Sequence, residues 1–553
     1  MSPSAYCLVL HAHLPLVLRH GRWPHGSDWL SEATLECYLP LLAAAESLVA
    51  KGVSPKWTIN VSPVLAEQLA APDFPTELLF YMENRRRACR ENLEYFQRSE
   101  RPDLAVLAGF WEETLDRMGE LFHRRGQNLL GAFADLERAG HVEVITCAAT
   151  HGYLPLLSRD ESLHLQLRAA IEAHRRHFGR APRGIWLPEC AYRPRAVFAE
   201  GVRPGVEELL ARYGLRFFVA DHHLVAGGTP LSPYRGRFPA LGAMVGEPAP
   251  VVSPGGRSPY RTYRIASRDG AGTAVAFVRD PKSTFQVWSR AAGYPGDFAY
   301  LEFHKTHYPG GIRYWRVTDL TRDLGTKAVY DPEQAEARVL AHARHFVSLV
   351  SATLAEVDDS RRPAVLCAPY DAELFGHWWF EGPAWLSRVT EGLRDVGITP
   401  MTLSEALEAA PPQEVVSLGE GSWGEGGDHR VWLNRETAWV WERITSAEQS
   451  LADLLGKIGR GAPPLVQRVA AQACRELLLL QASDWPFLIT TWSARDYAER
   501  RVNEHFTAFN RLVEMGRLVL SEGALSREDE RTLGELERTG FCFPDLDPGW
   551  ARG

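Results

Sequence analysis

The sequence predicts an α/β fold: an incomplete (β/α)7 barrel with a helical insertion and an all-helical C-terminal domain. Short apolar runs recur through residues 1–410 and are continuous rather than alternating, which is typical of parallel strands buried on both faces. Segments with apolar residues every three or four positions separate most of these runs and indicate amphipathic helices. After about residue 410 the strand pattern fades and the helical pattern dominates.

Seven of the apolar runs are the predicted barrel strands. They cover residues 6–11, 56–61, 142–147, 184–187, 216–221, 273–278 and 364–369. Helices are predicted at 161–178, 205–214 and 333–357. Alternation of strand and helix predicts a parallel α/β architecture, and about seven strands suit a slightly incomplete barrel.

Two segments depart from this alternation. Residues 75–140 are charged and helical, and they are predicted to be a helical insertion within a catalytic barrel domain that covers 1–410. The sequence "PPQE" at 411–414 is the predicted boundary. Beyond it, residues 415–553 are predicted to form a helical C-terminal domain.

The composition excludes several classes of protein. The chain has 553 residues, a net charge of −8 and a pI near 6.2, so it does not attract nucleic acid or an anionic membrane surface. The N-terminus lacks a basic leader, and no run approaches the ~20 apolar residues of a membrane span. The eight cysteines show no CxxC spacing. These features predict a cytoplasmic protein without disulfides.

Polar and titratable side chains follow the predicted strands, beginning with the run "GIWLPECAYRP" at 184–194. Pro188 ends that strand and Glu189 comes directly after it. The other strand exits carry His11, His13, His151, Asp221, His222, His223, Arg279, Asp280, Asp371, Glu373 and His377. Because the active site of a parallel barrel lies at the carboxyl ends of its strands, this pattern predicts an active site that contains Glu189.

Glu189 and Asp371 are the carboxylates without an evident structural duty. Two carboxylates converging on a barrel mouth are what cleavage of a glycosidic bond requires. His11 and His13 point to the same face of an extended strand, and with His151 and Asp371 they could instead bind a metal ion. A metal-dependent carbohydrate deacetylase is therefore an alternative, although no compact metal-ligand motif is present.

Six blocks in order give the chain a resemblance to a known family. They are "HAHLP", "VEVITCAATHGYLP", "WLPECAY", "QVWSRAAGYPGD", "PYDAELFGHWWFEGPAWL" and "QASDWPFLITT". The chain resembles glycoside hydrolase family 57, and within it the 1,4-α-glucan branching enzymes. The resemblance implies a (β/α)7 barrel, a retaining mechanism, and neither a metal nor another cofactor. It also implies that Glu189 is the nucleophile and Asp371 the general acid/base.

The resemblance implies further contacts with an α-1,4-glucan that serves as donor and acceptor. His11 and His151 would lie near the sugar at the cleavage point, and Trp288 would stack on a sugar ring. The remaining predicted substrate-binding residues are His13, Arg279, Gly296, His377, Trp423 and Asp484. Since Trp423 and Asp484 come from the C-terminal domain, that domain is expected to form one wall of the glucan groove.

The segment 224–270 departs from the family pattern. It is long and rich in Gly and Pro, and we expect it to act as a lid over the cleft. In the family a loop tyrosine here is linked to branching over hydrolysis, and Tyr234, Tyr260 and Tyr263 are the candidates. An α-amylase or a 4-α-glucanotransferase therefore stays open as an alternative, as does a glucan-binding protein that has lost catalysis.

Overall fold

A ring of parallel strands forms the centre of the molecule. The computed structural model describes residues 4–198, 201–227, 256–266, 273–289, 292–357, 363–459 and 461–553. Within these residues the ring strands are β1 (Ala5–Ala12), β2 (Trp57–Val61), β3 (Val142–Ile145), β4 (Gly184–Ile185), β5 (Phe217–Ala220), β6 (Thr273–Val278) and β7 (Val365–Asp371). Each lies within, or overlaps with, one of the runs predicted from the sequence.

Parallel pairing closes the ring. β7 pairs with β1, β1 with β2 and β2 with β3, while β5 lies between β4 and β6. The bridge between Thr146 and Ile185 joins β3 to β4, and the bridge between Arg279 and Cys367 joins β6 to β7. All eight residues of β1 are buried, as a strand covered on both faces requires. The predicted fold class, a (β/α)7 barrel, is confirmed.

Short strands extend the barrel sheet. Tyr263–Ala266 pairs antiparallel with β6, Val415–Val416 pairs parallel with Tyr263–Ala266, and Thr399–Pro400 pairs with β1. The segment 224–270, expected to be a loop, therefore contains a strand at its C-terminal end. The alternation that specifies it is short: Tyr263 and Ile265 are buried and Arg264 is exposed.

Helices surround the ring, and they also make up most of the chain after residue 437. In the barrel region they are Pro63–Leu69, Asp160–Phe178, Val206–Arg212, His222–Ala226, Pro281–Trp288, Pro332–Ala355, Gly382–Asp395 and Leu403–Ala409. Phe74–Arg98, Pro102–Arg124 and Leu129–Arg138 occupy the predicted insertion. Asp280 and Asp331 cap helices that begin with proline by accepting from two backbone N–H groups each. Gly179 ends the helix Asp160–Phe178 in the left-handed conformation.

One long helical stretch was not predicted from the sequence. Ser27–Ala33, a π-helical turn Thr34–Tyr38 and Leu39–Ala50 run on from one another. By length and composition this 24-residue stretch could cross a membrane, but 61% of its most apolar window is buried inside the molecule. It therefore packs as a core helix, and its apolar character reflects that packing.

The C-terminal helices contact the barrel at the carboxyl ends of its strands. They are Ala438–Lys457, Pro464–Leu480, Asp484–Thr491, Arg495–Glu522 and Arg527–Thr539. The fully buried Arg501 donates to Leu16 O at 2.7 Å, only three residues after His13. This contact holds the helix Arg495–Glu522 against the segment that leaves β1.

Candidate active site

The two candidate carboxylates lie at the same end of the barrel. Asp371 is the last residue of β7, and its Cα pairs in register with that of His11 in β1. Glu189 follows β4 in a 3-10 turn, Pro188–Cys190. The charge of Asp371 raises the pKa of Glu189, so the two carboxyl groups are close enough to interact electrostatically.

The backbone of Glu189 has an unusual conformation. Its φ of 61° and ψ of 24° are left-handed, a region that favours glycine. The backbone N–H of Trp423 donates to Glu189 O at 3.0 Å, and that of Cys190 donates to Leu187 O at 2.8 Å. Such strain persists only where neighbouring contacts enforce it, and it occurs preferentially at functional sites.

Two donors from beyond residue 415 hold the Glu189 carboxylate. Trp423 Nε1 donates to Oε2 at 2.8 Å, and Ser483 Oγ lies 3.4 Å from Oε1. The pKa of Glu189 is raised to about 8, mainly by burial and to a smaller extent by the charges of Asp371 and Asp484. The bonds from Trp423 and Ser483 oppose this rise because they favour the ionised form.

A stack of neutral imidazoles lies next to Glu189. His11 Nδ1 donates to Asn60 Oδ1 at 2.6 Å, because Asn60 Nδ2 itself donates to Ile145 O. His11 Nε2 therefore accepts from His151 Nε2 at 3.0 Å. Ser483 Oγ lies 2.7 Å from His151 Nδ1 and 3.4 Å from Glu189 Oε1, so its one hydroxyl proton is shared between these two acceptors. The His11 ring also stacks on Trp186 with centroids 4.8 Å apart.

Burial keeps these rings uncharged. Burial and, to a smaller extent, the neighbouring histidines lower the pKa of His11 to about 3 and that of His151 well below its usual range. His11 and His151 can therefore act as hydrogen-bonding groups at neutral pH and not as cations.

His13 links the barrel to the C-terminal helices. Its Nε2 lies 3.0 Å from Asp484 Oδ2, and its Nδ1 lies 2.8 Å from Ser62 Oγ. Its backbone N–H donates to Glu373 Oε1, which also accepts from Tyr38 O–H at 2.6 Å. Burial raises the pKa of Glu373 to about 8, and the charge of Asp371 contributes.

The alternative of a metal-dependent deacetylase requires His11 and His13 to bind the same cation. In the described residues the ligand atoms of His13, His151 and Asp484 lie within 4.8 Å of one another, and His11 is not in that group. His11 is instead bound to Asn60 and His151. The arrangement around Glu189 is thus a hydrogen-bonded network that reaches from β1 to Asp484.

Trp288 and Gly296 line a cavity of about 560 Å³ together with Phe303 and Leu374. Leu374 belongs to the turn Ala372–Leu374, which directly follows Asp371. The ring of Trp288 meets that of Trp423 edge-on, with centroids 6.4 Å apart. This places both tryptophans along one path from the cavity to Glu189.

Arg279 and His377 lie deeper than the resemblance implied. Arg279 is 1% exposed, donates to Asp221 Oδ2 at 2.7 Å and lies 5.1 Å from the Trp423 ring centroid. His377 Nδ1 bonds Glu36 Oε2 at 2.8 Å. Arg279 therefore contacts both Asp221 and the ring of Trp423, and His377 binds Glu36, which also pairs with Arg313.

Of the three candidate tyrosines, Tyr234 lies outside the described residues. Tyr260 O–H donates to Asp280 Oδ1 at 3.1 Å, and the buried Tyr263 donates to Ser258 O at 2.8 Å. The Tyr260 phenol is thus bound to the residue that caps the helix Pro281–Trp288, and the Tyr263 phenol is bound within the segment 224–270 itself.

The sequence does not predict several contacts in the site. Asn60, Ser62 and Ser483 bind the three histidines, and Tyr38 binds Glu373. Asn60 and Ser62 lie at the carboxyl end of β2, so the rule that polar residues at strand ends form the site also applies to them. Tyr38 comes from the helical stretch that was not predicted, so no signal pointed to it.

Comparison with known proteins gives one family for the whole chain. The model of glycosyl hydrolase family 57 matches residues 7–419, and a model named 1,4-alpha-glucan branching enzyme, C-terminal, matches residues 443–550. A 1,4-alpha-glucan branching enzyme of Thermococcus kodakarensis is 41% identical over 97% of this chain and 76% of its own length. A probable 1,4-alpha-glucan branching enzyme of Mycobacterium tuberculosis is 32% identical over 99% of this chain and 97% of its own.

Solved structures agree with the sequence comparisons. The Thermococcus enzyme, solved in complex with glucose, superposes with a TM-score of 0.89 at 38% identity, covering 99% of this chain and 96% of that one. An α-amylase of Thermotoga maritima superposes with a TM-score of 0.81 at 28% identity, covering 100% and 99%. The chain belongs to glycosyl hydrolase family 57.

Proposed function

We propose that this protein is a 1,4-α-glucan branching enzyme, which cleaves an α-1,4 bond and transfers the freed chain to a C6 hydroxyl of an acceptor glucan. The observation that carries the proposal is similarity to branching enzymes over nearly the whole chain, including the branching enzyme C-terminal model at 443–550. Membership of a glycosyl hydrolase family leaves the metal-dependent deacetylase alternative without support.

The reaction is a retaining double displacement carried by two residues. Glu189 attacks the anomeric carbon while Asp371 protonates the departing glycosidic oxygen, which leaves a glycosyl ester on Glu189. Asp371 then takes the proton from the incoming C6 hydroxyl as that oxygen displaces Glu189. The indole N–H of Trp423 supports this role because it stabilises the carboxylate both as attacking and as leaving group.

The segment 415–553 supplies one wall of the groove, and the barrel of 1–410 supplies the floor and the other wall. Trp423 and Ser483 contact Glu189, and Asp484 contacts His13. We place the reaction in the cytoplasm, since all eight cysteines are free and buried.

Branching is tested with linear amylose, which contains no α-1,6 bonds. Purified protein is incubated with amylose, the product is treated with an enzyme specific for α-1,6 bonds, and the released chains are counted. We expect new chains with the parent protein and none with Glu189→Gln.

An α-amylase is the second candidate, because the α-amylase of Thermotoga maritima aligns over the whole chain. In that case reducing ends would accumulate during the incubation, and the α-1,6-specific enzyme would release no chains.

A further inference from the structure

Trp492 combines two features that seldom occur together. It follows the helix Asp484–Thr491 with φ of 59° and ψ of 16°, a left-handed position that glycine normally fills at a helix end. Its side chain is also 58% exposed. Among the described residues, the other aromatic side chains with positive φ are His151 and Phe543, which are 3% and 2% exposed, so core packing accounts for them. Packing of that kind does not account for Trp492.

The indole is held in place on the surface. The Arg495 guanidinium lies 5.0 Å from the Trp492 ring centroid. Arg495 is itself fixed, with Nε donating to Glu499 at 2.7 Å and Nη1 to Glu436 at 3.2 Å. A bulky residue kept in a strained conformation by its neighbours points to a function.

Two segments connect Trp492 to the active site. The helix that precedes it begins at Asp484, the partner of His13, and eight helical residues span about 12 Å. The second segment runs from Trp423, which binds Glu189, to Glu436, which binds Arg495. Asn434 Nδ2 also donates to Thr490 Oγ1 at 2.9 Å, so the two segments are tied beside Trp492.

We propose that Trp492 is an outlying platform for an α-glucan chain, on which sugar rings beyond the catalytic cleft stack. The inference rests on the proposed function, which supplies the glucan. An indole offers an apolar face to a sugar ring and a polar edge to its hydroxyls. Long chains reach both the cleft and the platform, whereas short oligosaccharides occupy the cleft alone.

The test is Trp492→Gly, because glycine suits the left-handed backbone and removes only the ring. We expect its melting temperature to equal or exceed that of the parent, since the strain is relieved. In a Glu189→Gln background, which blocks turnover, the dissociation constant for amylose should rise about three- to tenfold, the usual worth of one aromatic contact. The constant for maltotriose should stay unchanged, and Trp492→Tyr should restore most amylose binding.

Tyr95→Ala is the matched control. Tyr95 is 56% exposed on the helix Phe74–Arg98 of the insertion, so its removal should leave amylose binding unchanged. Equal amylose affinity with and without Trp492 overturns the inference, and so does a lowered melting temperature of Trp492→Gly, which would make the ring structural. An equal loss of affinity for maltotriose would show that Trp492 lies in the catalytic cleft, and this result would also overturn the inference. If the parent protein neither binds nor branches amylose, the proposed function itself fails.

Discussion

At the scale of the residue, the environment of Glu189 sets its ionisation. Burial and two neighbouring carboxyl groups raise its pKa, while the indole N–H of Trp423 and the hydroxyl of Ser483 lower it. A nucleophile must be ionised to attack. Catalysis therefore requires the pH to exceed the pKa of Glu189, and every contact that lowers this pKa extends activity to lower pH.

Trp423→Phe keeps an aromatic ring and removes the N–H. The pKa of Glu189 should then rise, so the acidic limb of the pH profile of kcat/KM should move upward by about one unit, the worth of one charge-assisted hydrogen bond. Trp432→Phe is the control, since the indole nitrogen of Trp432 is buried and has no hydrogen-bond partner among the described residues. If the acidic limb of the pH profile of Trp423→Phe coincides with that of the parent, the indole N–H does not set the pKa of Glu189.

The amide substitutions Glu189→Gln and Asp371→Asn test the two roles directly. Each side chain acts mainly in the transition state, so turnover should fall by at least about 10³-fold while glucan binding persists. Initial rates and dissociation constants measured on the same glucan separate these effects. A variant that loses binding and turnover in equal proportion would show a role in substrate binding instead.

At the scale of the element, the strands could be predicted because continuous burial leaves a clear pattern. Even β4, which is only Gly184–Ile185, was located, since Pro188 marks where its run must end. The helical stretch 27–50 could not be predicted because Pro40 and polar residues interrupt its apolar pattern. In the structure a π-helical turn, Thr34–Tyr38, directly precedes the helix that contains Pro40. Contacts such as Ser483 with His151 could not be predicted, because they depend on docking residues 332 positions apart.

The docking of the helix Arg495–Glu522 depends on a buried network around Arg501. Arg501 donates to Leu16 O, Tyr497 Oη and His505 Nε2, and His505 donates to Glu476. Arg501→Met would leave these groups unpaired, so we expect a loss of about 3–5 kcal/mol in the free energy of unfolding.

Denaturant unfolding measures this loss. The neighbouring Arg500 is 61% exposed and faces Glu504 at 3.6 Å. Arg500→Met should therefore cost less than about 1 kcal/mol. Equal effects of the two substitutions would mean that the Arg501 network does not hold the helix to the barrel.

At the scale of the whole molecule, two parts of the chain complete one site. The barrel provides Glu189, Asp371 and the histidines, and the segment after 415 provides Trp423, Ser483 and Asp484. The resemblance to the family implies that both parts contribute, because the motifs around Trp423 and Asp484 are local features of the sequence. The sequence could not predict which donor meets Glu189, since that depends on the tertiary arrangement.

In the proposed mechanism two carboxyl groups perform both steps, so we expect that no cation is needed. Extensive treatment with a chelator, followed by dialysis, should leave the branching rate essentially unchanged. Loss of activity that zinc or manganese restores would instead show that the protein needs a metal ion, and His13, His151 and Asp484 would then be the candidate ligands next to Glu189.

The most direct test of the central claim is to trap the glycosyl ester on Glu189. An α-maltosyl fluoride needs little acid catalysis to leave, so Asp371→Asn should form the ester and then accumulate it, for lack of the base that activates the acceptor. Peptide mass spectrometry after acid quenching should find the added maltosyl mass on Glu189. A maltosyl group on another residue, or products of inverted anomeric configuration, would contradict the account.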